Sequence, residues 1–331
     1  MILLKDSFGR VINNLRISVT DRCNFRCVYC MPAHGMKWLD KKNILSFEEI
    51  CRITRIFSEL GITKLRLTGG EPLIRKELSS LIGMLNGIEN IEDISLTTNG
   101  YFLNEQADTL YGAGLKRINI SLDSLYSESF SAVTRRDYYE DVRRGIAKAV
   151  EVGMNPVKIN VVLIRGFNDN EILDFAELGR KNNFIIRFIE FMPLGTDDKW
   201  NMQKVVSSDE IRRTIESGFG MKLMPDSKGR GKQPADVFRF EDGIGHIGFI
   251  SSVSEPFCEH CNRVRITSDG KLRTCLFSHT ETDLMKPLRE GARDGEIREL
   301  IIEAVSKKER GHMINRPGFL RPERTMSQIG G

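Results

Sequence analysis

The spacing of apolar positions changes along the chain, and two kinds of element follow from it. Segments at 16–20, 64–68, 93–97, 117–121, 157–162 and 185–190 are short, apolar and rich in β-branched residues, and read as strands. Between them, apolar residues recur at helical spacing. The clearest helix opens on the capping box Ser46-Phe47-Glu48-Glu49, carries Ile50, Ile53, Ile56, Phe57 and Leu60 on one face, and stops at Gly61. Further helices are predicted over 78–85, 105–111, 139–152 and 171–181. Alternating strands and helices predict an α/β fold with a parallel sheet, open or closed into a barrel. After Trp200 the rhythm fades. Ser207–Glu210 caps one more helix, and 226–234 reads as a mobile loop. Phe238, Phe240, Ile247 and Phe249 alternate as short strands, and a helix is expected over 296–305. A soft boundary near 200 divides the chain into 1–200 and 201–331.

Composition narrows the class. The 331 residues are 40% apolar and 28% charged, ordinary values for a water-soluble protein. The net charge of +4 is too mild to argue for nucleic acid. No apolar run reaches membrane-spanning length. The first residues lack the charged lead and long apolar core of a signal peptide, so a reducing, cytoplasmic setting is expected. There, seven cysteines argue for metal ligation over disulfides. Cys51, between Ile50 and Ile53, reads as a small buried hydrophobe.

The other six cysteines form two tight groups. Cys23, Cys27 and Cys30 fall within one short loop, which lets three sulfurs wrap a compact centre. Structural zinc usually takes four ligands. A four-iron cluster held by three thiolates keeps one iron open for a small chelating ligand. Cys258, Cys261 and Cys275 form the second group. It suits either another cluster with an open iron, or a zinc completed by His246, His260 or His279. Polar, glycine-bearing signatures recur where strands end: Thr68-Gly69-Gly70-Glu71-Pro72, Thr97-Thr98-Asn99-Gly100, Ser121-Leu122-Asp123 and Glu190-Phe191-Met192-Pro193. Any one could be a turn, but four at corresponding positions suggest a site. Cations also sit on strands: Arg16, Lys64, Arg66, Lys158 and Arg187. Arg263 and Arg265 alternate and would share a strand face. Buried charge needs a partner, so these point to a large anionic ligand.

Cys23-x3-Cys27-x2-Cys30, with Tyr29 before the last thiol, resembles the radical S-adenosylmethionine superfamily. Together with Gly69-Gly70-Glu71-Pro72, Cys258-x2-Cys261-x13-Cys275 and the terminal Gly330-Gly331, the chain is similar to the GTP 3′,8-cyclase family of molybdenum-cofactor biosynthesis. The resemblance implies a partial (βα)6 TIM-type barrel whose mouth is covered by a C-terminal iron–sulfur-binding extension. It implies two 4Fe-4S clusters, one on Cys23, Cys27 and Cys30 and one on Cys258, Cys261 and Cys275. It further implies S-adenosylmethionine at Tyr29, Gly70, Ser121 and Met192, and GTP at Arg16, Arg66, Thr97, Lys158, Arg263 and Arg265. In the implied reaction a 5′-deoxyadenosyl radical takes hydrogen from C3′ of the ribose, and that carbon attacks C8 of guanine. One electron and a proton then complete 3′,8-cyclo-7,8-dihydro-GTP. Arg263 and Arg265 are expected near the last step, and Gly330-Gly331 is expected to reach into the site and steer the radical. Arg310, Arg316, Arg321 and Arg324 would anchor that tail. Implied partners are an external electron donor and the next enzyme of the pathway. A homodimer is compatible with the resemblance, and neither nucleic acid nor membrane is expected as a partner. The rival readings are a peptide-modifying radical enzyme and a zinc-stabilised nucleic-acid-binding protein.

Overall fold

A computed structural model describes residues 3–194, 200–226 and 234–331. Most of the loop expected over 226–234 therefore lies outside the described residues. The first part alternates as expected. Its strands are β1 (Asn14–Ser18), β2 (Lys64–Thr68), β3 (Asp93–Thr98), β4 (Ile118–Ser121), β5 (Val157–Leu163) and β6 (Ile185–Glu190). Its helices are α1 (Phe47–Glu59), α2 (Leu78–Asn86), α3 (Leu103–Gly112), α4 (Ser127–Thr134), α5 (Tyr139–Glu151) and α6 (Ile172–Asn182). The capping box of α1 forms in both directions: Glu49 N–H donates to Ser46 Oγ at 3.1 Å, and Ser46 N–H to Glu49 Oε2 at 2.7 Å. Cys51 is 5% exposed in the apolar core, as its neighbours suggested. Helix α4 was not foreseen, because only Phe130, Val133 and Thr134 of its eight residues are buried, too few to set a period.

The later part adds α7 (Ser208–Phe219), β7 (Leu223–Pro225), β8 (Asp236–Phe240), β9 (His246–Ile250), β10 (Arg263–Ile266), β11 (Lys271–Arg273), β12 (Thr282–Asp283), α8 (Met285–Arg289), α9 (Asp294–Ser306) and α10 (Met326–Ile329). The twelve strands of the described residues join one sheet, in the order β12-β11-β10-β1-β2-β3-β4-β5-β6-β9-β8-β7. Each neighbouring pair from β10 through β1–β6 to β9 is parallel. Strands β9 and β10 are consecutive in the chain yet pair with opposite edges, β9 with β6 and β10 with β1. The segment 251–262 therefore runs from the C-terminal ends of the strands at one edge to the N-terminal ends at the other. The later part thus extends the partial barrel at both edges. Among the described residues, no helix is long and apolar enough to cross a membrane.

Alternation assigns the two faces of the sheet. Leu15, Ile17, Leu65, Leu67, Leu96, Ile120, Ile159, Ile186 and Val264 point outward into the helix layer and are almost fully buried. Register places Arg265, Arg16, Arg66 and Ser95 in one row on the inner face. Ser121, Asn160, Arg187 and Gly248 form another. The strands are apolar outward and carry cations inward, so the barrel centre is a hollow into which arginines project.

Candidate active site

The first thiol group sits on the loop after β1, at the C-terminal ends of the strands. This loop is laced to the end of β2: Gly70 N–H donates to Thr20 O at 2.8 Å, and Glu71 N–H to Arg22 O at 2.7 Å. A Cβ on Gly70 would collide with the carbonyl oxygens of Asp21 and Arg22. Only glycine permits that approach. Gly70 therefore serves first to seat the cysteine loop, and it also lines the hollow. Cys30 N–H donates to Cys27 O at 2.9 Å, closing a turn that brings the last two thiols round. Burial pushes the Cys23 and Cys27 thiols far up, helped by neighbouring carboxyl groups and by the other thiols. It pushes Cys30 up to about 12, although a backbone N–H at Ser327 pulls it back. Three half-buried, mutually repelling sulfurs become thiolates only when a positively charged centre compensates them.

Cys258 and Cys261 lie on the segment that precedes β10, and Cys275 follows β11. Cys261 N–H donates to Cys258 O at 3.1 Å. Burial raises the Cys258 thiol. At Cys261 burial also acts upward, but Arg263 and Lys308 outweigh it and bring the thiol down to about 6. Arg263 Nη2 lies 3.8 Å from Cys261 Sγ. Arg263 is in register with Asn14, the first residue of β1, whereas the first thiol loop leaves from beyond Ser18, its last. The two thiol groups therefore occupy opposite ends of the strands, separated by a strand length on the order of 15 Å.

All six thiols line the same cavity. Its empty space is about 1670 Å³ with the open mouth included. Tyr29, Gly70, Ser121, Met192, Arg16, Arg66, Thr97, Arg263, Arg265 and Gly331 line it too. Lys158 is on the inner face one layer below, in register with Asn119 and Ile185. Its ammonium is brought down to about 7 by burial and then by Arg187, Arg117 and Arg66. Burial and the same crowding lower Arg16, bring Arg66 down to about 10, and bring Arg187 and Arg265 down to about 9. Guanidinium stays charged at neutral pH regardless, so the hollow holds uncompensated positive charge. Arg16 Nε, Arg187 Nε, Thr97 Oγ1 and Asn160 Oδ1 are buried without a hydrogen-bond partner. Orphaned donors among crowded cations fit a polyanion, and two sets of three cavity-facing thiols fit cluster ligation at each end.

The tail enters this hollow. Arg265 Nη1 donates to Gly330 O at 2.7 Å. Thr325 Oγ1 and Ser327 Oγ point at Met36 Sδ, 3.3 and 3.5 Å away, on the loop that follows the first thiols. Of the four arginines expected to anchor the tail, Arg324 does so, through Asp269 at 2.8 Å and Glu281 at 2.7 Å. Among the described residues, the Arg310 side chain meets only the exposed Glu259, at 3.5 Å.

Several residues in or beside the cavity escape a reading of the sequence. Arg187 was noted only as a strand cation, and its strand flank could equally have faced solvent. It is 2% exposed, and its Nη1 donates to Asn119 Oδ1 at 3.1 Å. Asp123 Oδ2 accepts from Tyr29 Oη at 2.5 Å, and Asp123 Oδ1 accepts from Val162 N–H at 2.8 Å. Glu71 is 1% exposed and accepts from Thr98 Oγ1 at 2.6 Å and Asn99 N–H at 2.7 Å. Burial raises it to about 7. Of the histidines, His312 lines the cavity, while His246, His260 and His279 do not. Asp123 and Glu71 stood inside the strand-end signatures, so a signal for them existed. Nothing in the sequence marked His312.

Comparison with known proteins agrees with this geometry. Residues 17–179 match the Radical SAM superfamily, and residues 184–314 match Molybdenum Cofactor Synthesis C. The chain is 48% identical over 329 residues to a GTP 3′,8-cyclase of Thermodesulfovibrio yellowstonii, covering 99% of this chain and 100% of that one. It is 47% identical to a GTP 3′,8-cyclase of Moorella thermoacetica, covering 99% and 100%. Among solved structures, Streptococcus suis SuiB bound to S-adenosylmethionine superposes with a TM-score of 0.59 at 15% identity, over 97% of this chain and 77% of that one. That likeness shows a shared fold.

Proposed function

Because this chain belongs to the GTP 3′,8-cyclase family, we propose that its two thiol groups and the cations between them form one active site spanning the barrel. The enzyme is a radical S-adenosylmethionine lyase with two 4Fe-4S clusters. It converts GTP to 3′,8-cyclo-7,8-dihydro-GTP, the first step of molybdenum-cofactor biosynthesis. The observation that carries the site assignment is that six thiols line a single cavity from both ends, with the cationic rows between them.

Cys23, Cys27 and Cys30 would hold the cluster that engages S-adenosylmethionine, with Tyr29, Gly70, Ser121 and Met192 around that cofactor. When bound, the pair supplies a 5′-deoxyadenosyl radical. Cys258, Cys261 and Cys275 would hold the second cluster and present an open iron towards the purine. Arg16, Arg66, Thr97, Lys158, Arg263 and Arg265 would bind GTP between the two ends. The crowded cations then find their counter-charge, and arginine forks suit phosphate oxygens. Bridging the hollow orients the ribose towards the first centre. Arg263 and Arg265 stay fixed beside the nucleotide to stabilise charge as the ring is reduced. Gly330 and Gly331, held by Arg265, narrow the space around the ribose and exclude water and stray reductant.

We further assign residues 1–200 to the radical-generating core and 201–331 to substrate and second-cluster binding. The enzyme works in the cytoplasm, where free thiols persist. An external one-electron donor serves it, and the next enzyme of the pathway takes its product. Iron and sulfide analysis of anaerobically prepared protein tests the reading. About eight irons per chain are expected. Stoichiometric zinc without iron would overturn it.

A further inference from the structure

The wall of the second thiol centre is built by a segment with no cysteine, the run after α9. Lys308 is 2% exposed. Its Nζ donates to Arg263 O at 3.1 Å and to Thr274 O. Those carbonyls flank the two halves of the thiol set: Thr274 precedes Cys275, and Arg263 lies two residues beyond Cys261. Glu309 is committed elsewhere, accepting from Thr274 Oγ1 at 2.8 Å and from Ser278 Oγ. Arg10, paired with Asp6 at 2.5 Å, donates to the carbonyls of Cys258 and Arg310 at 2.7 Å and of Glu309 at 2.6 Å. Gly311 packs so close that a Cβ there would lie 2.9 Å from Cys258 Cβ and 3.3 Å from its Sγ. Residues 308–311 are thus pinned against all three ligand positions.

Lys308 is the anomaly in this wall. Among the described residues, no carboxylate lies within ion-pair distance of its Nζ. Burying an ammonium with two carbonyl acceptors and no directly paired carboxylate is costly. Lys308 holds the carbonyls that flank the thiol set, and its charge also acts on the neighbouring Glu309 carboxylate, which Thr274 and Ser278 hold. Reduction potentials of thiolate-held clusters respond to nearby charge and hydrogen bonds.

We propose that Lys308 is the fixed counter-cation of the second centre, and that its charge makes the cluster on Cys258, Cys261 and Cys275 easier to reduce. This rests on the reading that those thiols hold a cluster. The couple concerned is a single electron, taken from the external donor, with no bond made or broken at Lys308. The more negative, reduced form gains most from a buried positive charge.

The test uses anaerobic, fully loaded enzyme and a spectroscopically monitored redox titration of the second cluster. Two variants separate charge from hydrogen bonding. Lys308→Gln keeps N–H donors without charge, and Lys308→Arg keeps charge. At the wild-type midpoint, Lys308→Gln is expected to shift the oxidised-to-reduced ratio at least tenfold towards oxidised, a fall of about 59 mV for one electron. Lys308→Arg is expected to stay within threefold of wild type. Loss of iron from the second centre in Lys308→Gln alone would also support the counter-charge. An unchanged midpoint in Lys308→Gln, or equal loss of that iron from both variants, would overturn the proposal. Wild-type enzyme with no second-cluster signal would instead overturn the underlying site reading.

Discussion

Arg265 Nη1 donates to the carbonyl of Gly330 at 2.7 Å, joining a β10 cation inside the hollow to the penultimate residue of the chain. Gly330 has φ +86°, and a Cβ there would lie 2.8 Å from Ser18 Cβ and from Thr68 Oγ1. The tail therefore passes where a side chain cannot. Removing Gly330 and Gly331, or substituting Gly330→Ala, is expected to leave both clusters and 5′-deoxyadenosine formation largely intact while abolishing cyclic nucleotide. Assaying both products in one reaction checks this, and normal cyclic product from the truncated enzyme would refute the role.

The thiol groups should separate by function. Alanine at Cys23, Cys27 or Cys30 is expected to abolish 5′-deoxyadenosine formation, because each would supply one of three ligands to the first centre. Alanine at Cys275 is expected to weaken GTP binding while some uncoupled cofactor cleavage survives. Equilibrium binding and product analysis on variants of known iron content decide the matter.

Arg16 lies among Arg265, Arg66 and Arg263 with a buried, unpartnered Nε. Arg16→Met removes like-charge repulsion from the empty protein and a charge-assisted contact from the complex. It is expected to raise the unfolding temperature of ligand-free protein by about 2 °C. It is also expected to weaken GTP by roughly 10- to 100-fold, the loss of a charged hydrogen bond. Thermal unfolding with and without GTP measures both.

Lys158 is brought down to about 7 by burial first, then by Arg187, Arg117 and Arg66. Below that pH it carries its proton, and above it the free enzyme holds it neutral. A bound triphosphate favours the charged form and raises its pKa, so binding takes up a proton above about pH 7. GTP affinity is expected to fall as pH rises from 7 towards 9. Lys158→Met should flatten that slope, while weakening affinity most at pH 6–7. Affinity titrations of both proteins across this range provide the check.

Local signals in the sequence read well. The Ser46–Glu49 capping box, β2 and β6, and the burial of Cys51 follow from residues adjacent in the chain. So does the shared face of Arg263 and Arg265. Long-range pairing did not read. Nothing in His246–Ile250 or Arg263–Ile266 says that these neighbouring strands close on opposite edges of the sheet, which is what places the second thiol group at the far end of the hollow. Arg187 looked like a plausible surface cation until register set it beside Asn160 and Gly248. Lys308 follows a helix end, where lysine is ordinarily solvated, and only the folded chain brings Thr274 and Arg263 to it. Arg310 and Arg324 looked alike as tail anchors, but only Arg324 meets two partly buried carboxylates.

In the proposed site the GTP ribose lies between the two thiol centres, facing the first. The most direct test is a reaction with GTP deuterated at C3′. Deuterium is expected to appear in 5′-deoxyadenosine, in step with cyclic product. Unlabelled 5′-deoxyadenosine formed alongside cyclic product, or label transferred only from another ribose position, would contradict it.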